Sequence, residues 1–276
     1  MSIKYAYLGP AGTFTEAALQ KIATPSDKLI AYANVTAALD AVRNGECQKA
    51  LVPIENSVEG VVARTLDELA IGEPLVITAE TTLPVSFSLM TLSDKNPAEI
   101  KSIATHPHAE SQCRSFIAKN YPNAQVIESS STAAAAKGLS KGDYDAAIAG
   151  SNAAKNYGLK VIAENIGDNT GAVTRFVLVE KPGNQPKATG KDRTSLAVFI
   201  ALDHAGALLE ILNEFAKHQV NLTFIQSRPT GSQLGHYHFI IDAEGHIEDK
   251  PISAALAGLK EICEDVRFLG SYPQAK

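Results

Sequence analysis

The chain has 276 residues and a formal net charge of -5, with 45% hydrophobic and 20% charged residues. That length predicts one or two domains with a sizeable core, and a mildly acidic balance without a basic stripe excludes nucleic acid as an expected partner. The start, MSIKYAYLGPAG, has no apolar run behind a basic segment, and no apolar stretch reaches membrane-spanning length, so neither export nor a membrane is expected. Cys47, Cys113 and Cys263 stand at unrelated spacings, which argues against a disulfide framework or zinc cluster and fits a reducing, cytoplasmic setting.

In the first half, predicted strands and helices alternate: Ile3–Leu8, Phe14–Ala23, Leu29–Ala33, Val35–Arg43, Ala50–Ile54 and Val58–Ala70. The last is read as a helix from the spacing of Val58, Val61, Val62, Leu66 and Leu69. After an extended piece crossing Pro84, alternation restarts with Ser102–Ala104, His106–Lys119, Gln125–Glu128, Thr132–Leu139 and Ala146–Ala149. This pattern predicts an α/β fold with mostly parallel sheets and helices on their faces.

TAALDAVRNGECQKALVPIEN from Thr36 resembles TAAAAKGLSKGDYDAAIAGSN from Thr132, with Asn56 matching Asn152. Either Ala-rich βα units simply look alike, or two similar lobes enclose a cleft, where ligands of α/β proteins usually sit. The stretch Glu180–Asp192, with two prolines and two glycines, breaks the pattern and reads as a linker. Beyond it the expected order is strand (Ser195–Leu202), helix (Ala207–His218), strands (Val220–Gln226 and Tyr237–Asp242), helix (Ile252–Cys263) and strand (Val266–Leu269), the ferredoxin-like βαββαβ arrangement.

Thr13 with Glu16, Asn56-Ser57, Thr105 and Ser131-Thr132 stand where helices are expected to begin. Each is explained by plain capping; together, helix N-termini at the ends of parallel strands suit a small substrate with more than one carboxylate. There is no G-x-G-x-x-G, P-loop, C-x-x-C or Ser-His-Asp set, and no cofactor is expected. His106 and His108, two apart at an expected helix start, should diverge; His236 and His238 read as surface residues. Gln112 follows Thr105 by two helical turns, which would put both on one side. Glu55 ends a strand, as a buried acid or a solvated loop end. Thr174-Arg175-Phe176 enters an apolar strand straight after a polar run, putting a hydroxyl, a cation and an aromatic face together.

YLGPAGTFTEAA, VPIENSVEG, THPHAESQC and NTGAVTRFVLV resemble, in order and spacing, the signature segments of bacterial prephenate dehydratases. HAGALLEIL and VNLTFIQSRPT resemble the ACT regulatory domain that these enzymes carry, and no chorismate mutase bundle precedes Ile3. The resemblance implies a two-lobed, periplasmic-binding-protein-like catalytic domain over 1–181, a linker over 182–192 and an ACT domain over 193–276. It implies that prephenate loses CO2 and its ring hydroxyl to give phenylpyruvate, aromatisation being the driving force, with Thr174 donating to the departing hydroxyl. Glu55, Asn56, Ser57, Thr105 and Gln112 would line the substrate site, Arg175 would hold a carboxylate and Phe176 would wall the ring. In a regular strand Arg175 faces away from Thr174 and Phe176, so this role requires irregular backbone; the alternative is a structural arginine.

The resemblance also implies L-phenylalanine as allosteric effector, bound across a two-fold contact in a homodimer or homotetramer. Its pocket would be formed by Gly206, Ala207, Leu208, Asn221, Gln226, Ser227, Arg228 and Pro229. Two departures stand out: His108 replaces the usual amide after His-Pro, and Gln226 replaces the glutamate of the effector motif. Arogenate as substrate, a decarboxylase that does not aromatise, and a non-catalytic amino-acid sensor are the competing readings.

Overall fold

The computed structural model describes residues 2–93, 96–183, 185–200, 204–230 and 237–275. The elements run β1 (Lys4–Leu8), α1 (Phe14–Gln20), β2 (Lys28–Tyr32), α2 (Val35–Arg43), β3 (Lys49–Asn56), β4 (Gly60–Val61), α3 (Ala63–Ile71) and β5 (Val76–Pro84). Next come β6 (Ser88–Thr91), β7 (Ser102–Thr105), α4 (Pro107–Gln112), α5 (Arg114–Asn120), β8 (Gln125–Glu128), α6 (Thr132–Leu139), β9 (Ala146–Ala149), α7 (Ser151–Tyr157), β10 (Lys160–Ala163) and β11 (Val173–Glu180). The last third holds β12 (Asp192–Ile200), α8 (Ala207–Lys217), β13 (Leu222–Pro229), β14 (Tyr237–Glu244), α9 (Lys250–Ile262) and β15 (Cys263–Pro273).

The chain forms two compact units: Met1–Ala38, Leu51–Val61 and Thr82–Phe176 make one, and Leu39–Ala50, Val62–Thr81 and Val177–Lys276 the other. In the first lies a five-stranded sheet in the order β10-β6-β9-β7-β8. β7 runs parallel to β8 and β9, whereas β6 is antiparallel to β9 and β10, so the sheet is mixed rather than mostly parallel. Successive residues of β9 alternate between two cores. Ala146 and Ile148 join Leu89, Ile103 and Ile117; Ala147 and Ala149 join Ala136, Leu139 and Ala153. Burial on both faces explains why this strand has no polar position. A second sheet has the order β2-β1-β3-β11-β5, with β4 against β3.

The second unit carries the antiparallel sheet β13-β14-β12-β15 in βαββαβ order. α8 and α9 cover one face, packing Ile211, Phe215 and Leu259 on Leu196, Val198 and Ile241. On the other face Arg228 of β13 makes a bidentate pair with Asp67 of α3, at 2.8 and 2.7 Å. His238 of β14 is no surface residue: it is wholly buried and stacks on Phe199, with ring centroids 5.0 Å apart. His236 lies outside the described residues.

Three expected elements change. The helix from Val58 begins only at Ala63, because a turn and the short β4 come first. The helix from His106 breaks at Cys113 into α4 and α5. The last strand covers 11 residues, far longer than Val266–Leu269.

Candidate active site

The Asn56 side chain builds the turn that displaces the expected helix. Its Oδ1 accepts from the amides of Val58 (2.8 Å) and Glu59 (3.0 Å), an Asx turn, and Gly60 follows at φ +84, where a side chain would be strained. The chain then returns as β4, pairing Val61 with Glu55 and Gly60 with Asn56. Local side-chain hydrogen bonding has won over an apolar helical period, as Asx residues outside helices often do.

The remaining Asn56 group, Nδ2, donates to Thr174 Oγ1 at 2.8 Å. One residue back on β3 and one residue further along β11, Glu55 Oε2 meets Arg175 Nε at 3.3 Å. Adjacent residues of a strand project to opposite faces, so one face of the β3–β11 pair carries Asn56 with Thr174 and the other carries Glu55 with Arg175. β11 is continuous through this point, and the irregular backbone needed to turn Arg175 toward Thr174 is absent. Arg175 therefore points away from Thr174, its side chain only 10% exposed beside Glu55. Phe176 is buried to 1% and belongs to the packed interior, so it has no free face to wall a substrate ring. Ser57 fastens the strand entry: its amide donates to the Val173 carbonyl and its Oγ accepts from the Val173 amide, both at 2.9 Å.

Thr105 ends β7 instead of starting a helix. Its hydroxyl donates to the Ile148 carbonyl at 2.8 Å and is almost fully buried, so it supports the sheet rather than facing a ligand. The cap of α4 is His106, whose Nδ1 accepts from the His108 amide at 3.3 Å. Because His106 is extended, not helical, the two imidazoles do not diverge; they meet edge to face with centroids 4.8 Å apart. Burial and the neighbouring His108 push the His106 pKa below its ordinary value. Gln112, at the end of α4, is buried and donates from Nε2 to Glu59 Oε1 at 2.7 Å. Glu59 Oε2 lies 3.6 Å from His108 Nδ1.

The structure therefore brings Asn56, Thr174, Glu59, Gln112 and His108 into one connected group, with Glu55 and Arg175 behind it. Sequence reasoning missed Glu59. The available signal was the polar turn ENSVEG itself, in which an Asn-led turn aims the residue three positions on. At the other expected caps, Thr13 Oγ1 accepts from the Glu16 amide at 3.3 Å and Ser131 Oγ from the Ala134 amide at 3.0 Å. Glu16 reaches back to the Gly12 amide (2.6 Å) and also takes Asn156 Nδ2 (2.8 Å).

In the second unit Gly206, at φ +99, is the N-cap of α8, followed by buried Ala207 and partly exposed Leu208. Asn221 precedes β13, and its carbonyl accepts from the Glu244 amide at 2.9 Å. The residues read as effector-binding divide between the faces of β13: Ser227 and Pro229 are exposed, while Gln226 and Arg228 project to the side of Asp67. Arg228, its guanidinium held by Asp67, has only backbone to offer an effector there. The Gln226 amide turns back onto the Ser227 carbonyl at 3.0 Å. No helix of the described residues is long and apolar enough to cross a membrane.

The prephenate dehydratase family model matches residues 5–184, and the ACT domain model matches residues 194–261. A prephenate dehydratase of Amycolatopsis methanolica is 46% identical over 273 residues, covering 99% of this chain and 89% of the relative. The crystal structure of prephenate dehydratase from Arthrobacter aurescens, in complex with L-Phe, superposes with a TM-score of 0.92 at 49% identity, covering 98% of this chain and 90% of that one. GqqA, described as a novel type of quorum quenching acylase, superposes with a TM-score of 0.86 at 27% identity, covering 98% of each chain. Agreement of this extent, over a strand mouth where Asn56 holds Thr174, settles the family: the chain belongs to the prephenate dehydratases and carries an ACT domain.

Proposed function

We propose that the protein converts prephenate to phenylpyruvate, CO2 and water, with L-phenylalanine as feedback inhibitor. The observation that carries the reading is the Asn56–Thr174 hydrogen bond. An amide N–H donating into Thr174 Oγ1 occupies a lone pair of that oxygen, so the hydroxyl proton is directed elsewhere, available to a leaving group. Loss of the ring carboxylate as CO2 sends its electron pair through the diene, and the C–O bond to the ring hydroxyl breaks. The departing oxygen needs one proton to leave as water. Thr174 hands over its own proton and is reprotonated from solvent, so the dianionic substrate consumes one proton overall. General-acid help of this kind contributes about 10²–10⁴ in rate. No electron acceptor is required, because the carbon that loses CO2 supplies the pair that the hydroxyl takes away.

In this reading residues 1–181 are catalytic, 182–192 connect, and 193–276 bind the effector, between paired copies in a homodimer or homotetramer. The L-Phe complex of the 49%-identical relative supports the identity of the effector. The test is incubation of the purified chain with prephenate and, in parallel, arogenate, following the aromatic product and CO2. Phenylpyruvate from prephenate is the expected result; binding without any aromatic product would replace the enzyme with a sensor.

A further inference from the structure

We propose that Glu59 is a specificity-determining gate of the substrate site: its carboxylate occupies the amide of Gln112 in the free protein, and a substrate carboxylate enters by displacing it. The inference rests on the prephenate dehydratase reading of the same site. Gln112 is 8% exposed, and its Nε2 donates to Glu59 Oε1 at 2.7 Å. A buried amide donor aimed at a carboxylate is the arrangement that a site for an anionic substrate requires, and here the anion is supplied by the chain itself.

The gate is fixed at its base and free at its tip. The Glu59 amide is held by Asn56 Oδ1 at 3.0 Å, and the same Asn56 positions Thr174 at 2.8 Å. The Glu59 side chain is 28% exposed, so it has an open path outward. His108, 65% exposed and 3.6 Å from Glu59 Oε2, stands beside that path as a second partner for the released carboxylate. A ligand that only offers a neutral oxygen to Gln112 cannot match a charge-assisted bond, whereas a carboxylate can. A bound dianion would also repel Glu59, which drives the gate outward once the substrate is seated. The device thus favours dianionic ligands over neutral ones at the cost of some affinity for all of them.

The experiment is steady-state kinetics on prephenate for the full chain and for Glu59→Ala, which removes the occupant. The expected result is a KM lowered about three- to tenfold, the size of one charge-assisted hydrogen bond discounted for a partly exposed carboxylate, so that kcat/KM rises through KM. Should Glu59→Ala not fold, Glu59→Gln decides, with the same expected sign. A KM that is unchanged or raised, while the wild-type chain turns prephenate over, overturns the gate and makes Glu59 a support for Gln112. A wild-type chain that leaves prephenate untouched overturns the functional reading, and the gate falls with it.

Discussion

Asn56 and Thr174, 118 positions apart in sequence, are joined by a 2.8 Å hydrogen bond in which the amide donates to the hydroxyl oxygen. The same Asn56 closes the turn that delivers Glu59 to Gln112. One side chain therefore sets both the orientation of the proposed proton donor and the state of the substrate grip, while the Glu55–Arg175 ion pair lies on the opposite face of the two strands.

Thr174→Ala is expected to fold and to lose about 10²–10⁴ in turnover, since it removes the proposed donor to the leaving oxygen. Thr174→Ser keeps a hydroxyl and should recover part of the loss. Because the interaction is made in the transition state, kcat falls more than affinity. Near-native turnover of the alanine variant at saturating prephenate refutes the assignment.

Asn56→Ala removes the Thr174 bond and both turn bonds together, so its cost should exceed that of one peripheral contact. A loss of about 1–3 kcal/mol in transition-state stabilisation is expected from the unpaired partners left behind. The check is kcat/KM beside circular dichroism; unchanged kinetics would show that the Thr174 rotamer does not depend on Asn56.

Phenylalanine should inhibit with modest affinity, and Gln226→Glu should tighten it, because a carboxylate attracts the ligand ammonium by charge where an amide offers only a neutral acceptor. The Gln226 amide is also spent on the Ser227 carbonyl, a bond that glutamate gives up. A phenylalanine titration of activity on both proteins reads the effect. Equal inhibition constants would place the ammonium elsewhere.

Asp67→Asn should lower stability by about 1 kcal/mol, since both ends of the bidentate pair with Arg228 are partly exposed. For a chain of this size that is a melting-temperature drop of roughly 2–4 °C. A thermal melt of the variant decides it. An unshifted melt would mean that desolvation cancels the attraction.

Buried His238 should make the protein less stable in mild acid. Burial, the largest cause, pushes its pKa below the ordinary 6.5, with Arg228 and Arg267 acting the same way against Asp67. The unfolded chain then binds a proton near 6.5 that the folded chain refuses, so stability is full above that pH and is lost as pH falls below it. His106, also lowered, adds to the same slope. His238→Leu should flatten the loss between about pH 6.5 and 5; a parallel pH profile would acquit His238.

The amino-acid sequence by itself determined what depends on short-range pattern. The βαββαβ order of the last third follows from alternating apolar periods, and the β11 strand follows from the apolar run Phe176–Val179 after a polar loop. The Ser131 cap is also local, since a hydroxyl reaches an amide three residues on. Tertiary structure decided the rest. Val58 to Leu69 carries a helical period, yet Asn56 and Gly60 turn the chain first, because side-chain hydrogen bonds to the backbone outweigh a weak propensity. Glu59 meets Gln112 and Arg228 meets Asp67 only through the fold, across separations that leave no periodic trace in the chain. His238 reads as polar and exposed in sequence, but it is buried beside its cross-strand neighbour Phe199 on a covered side of the sheet. Which face of a strand is buried is a property of what packs against it, and that is specified by the whole chain at once.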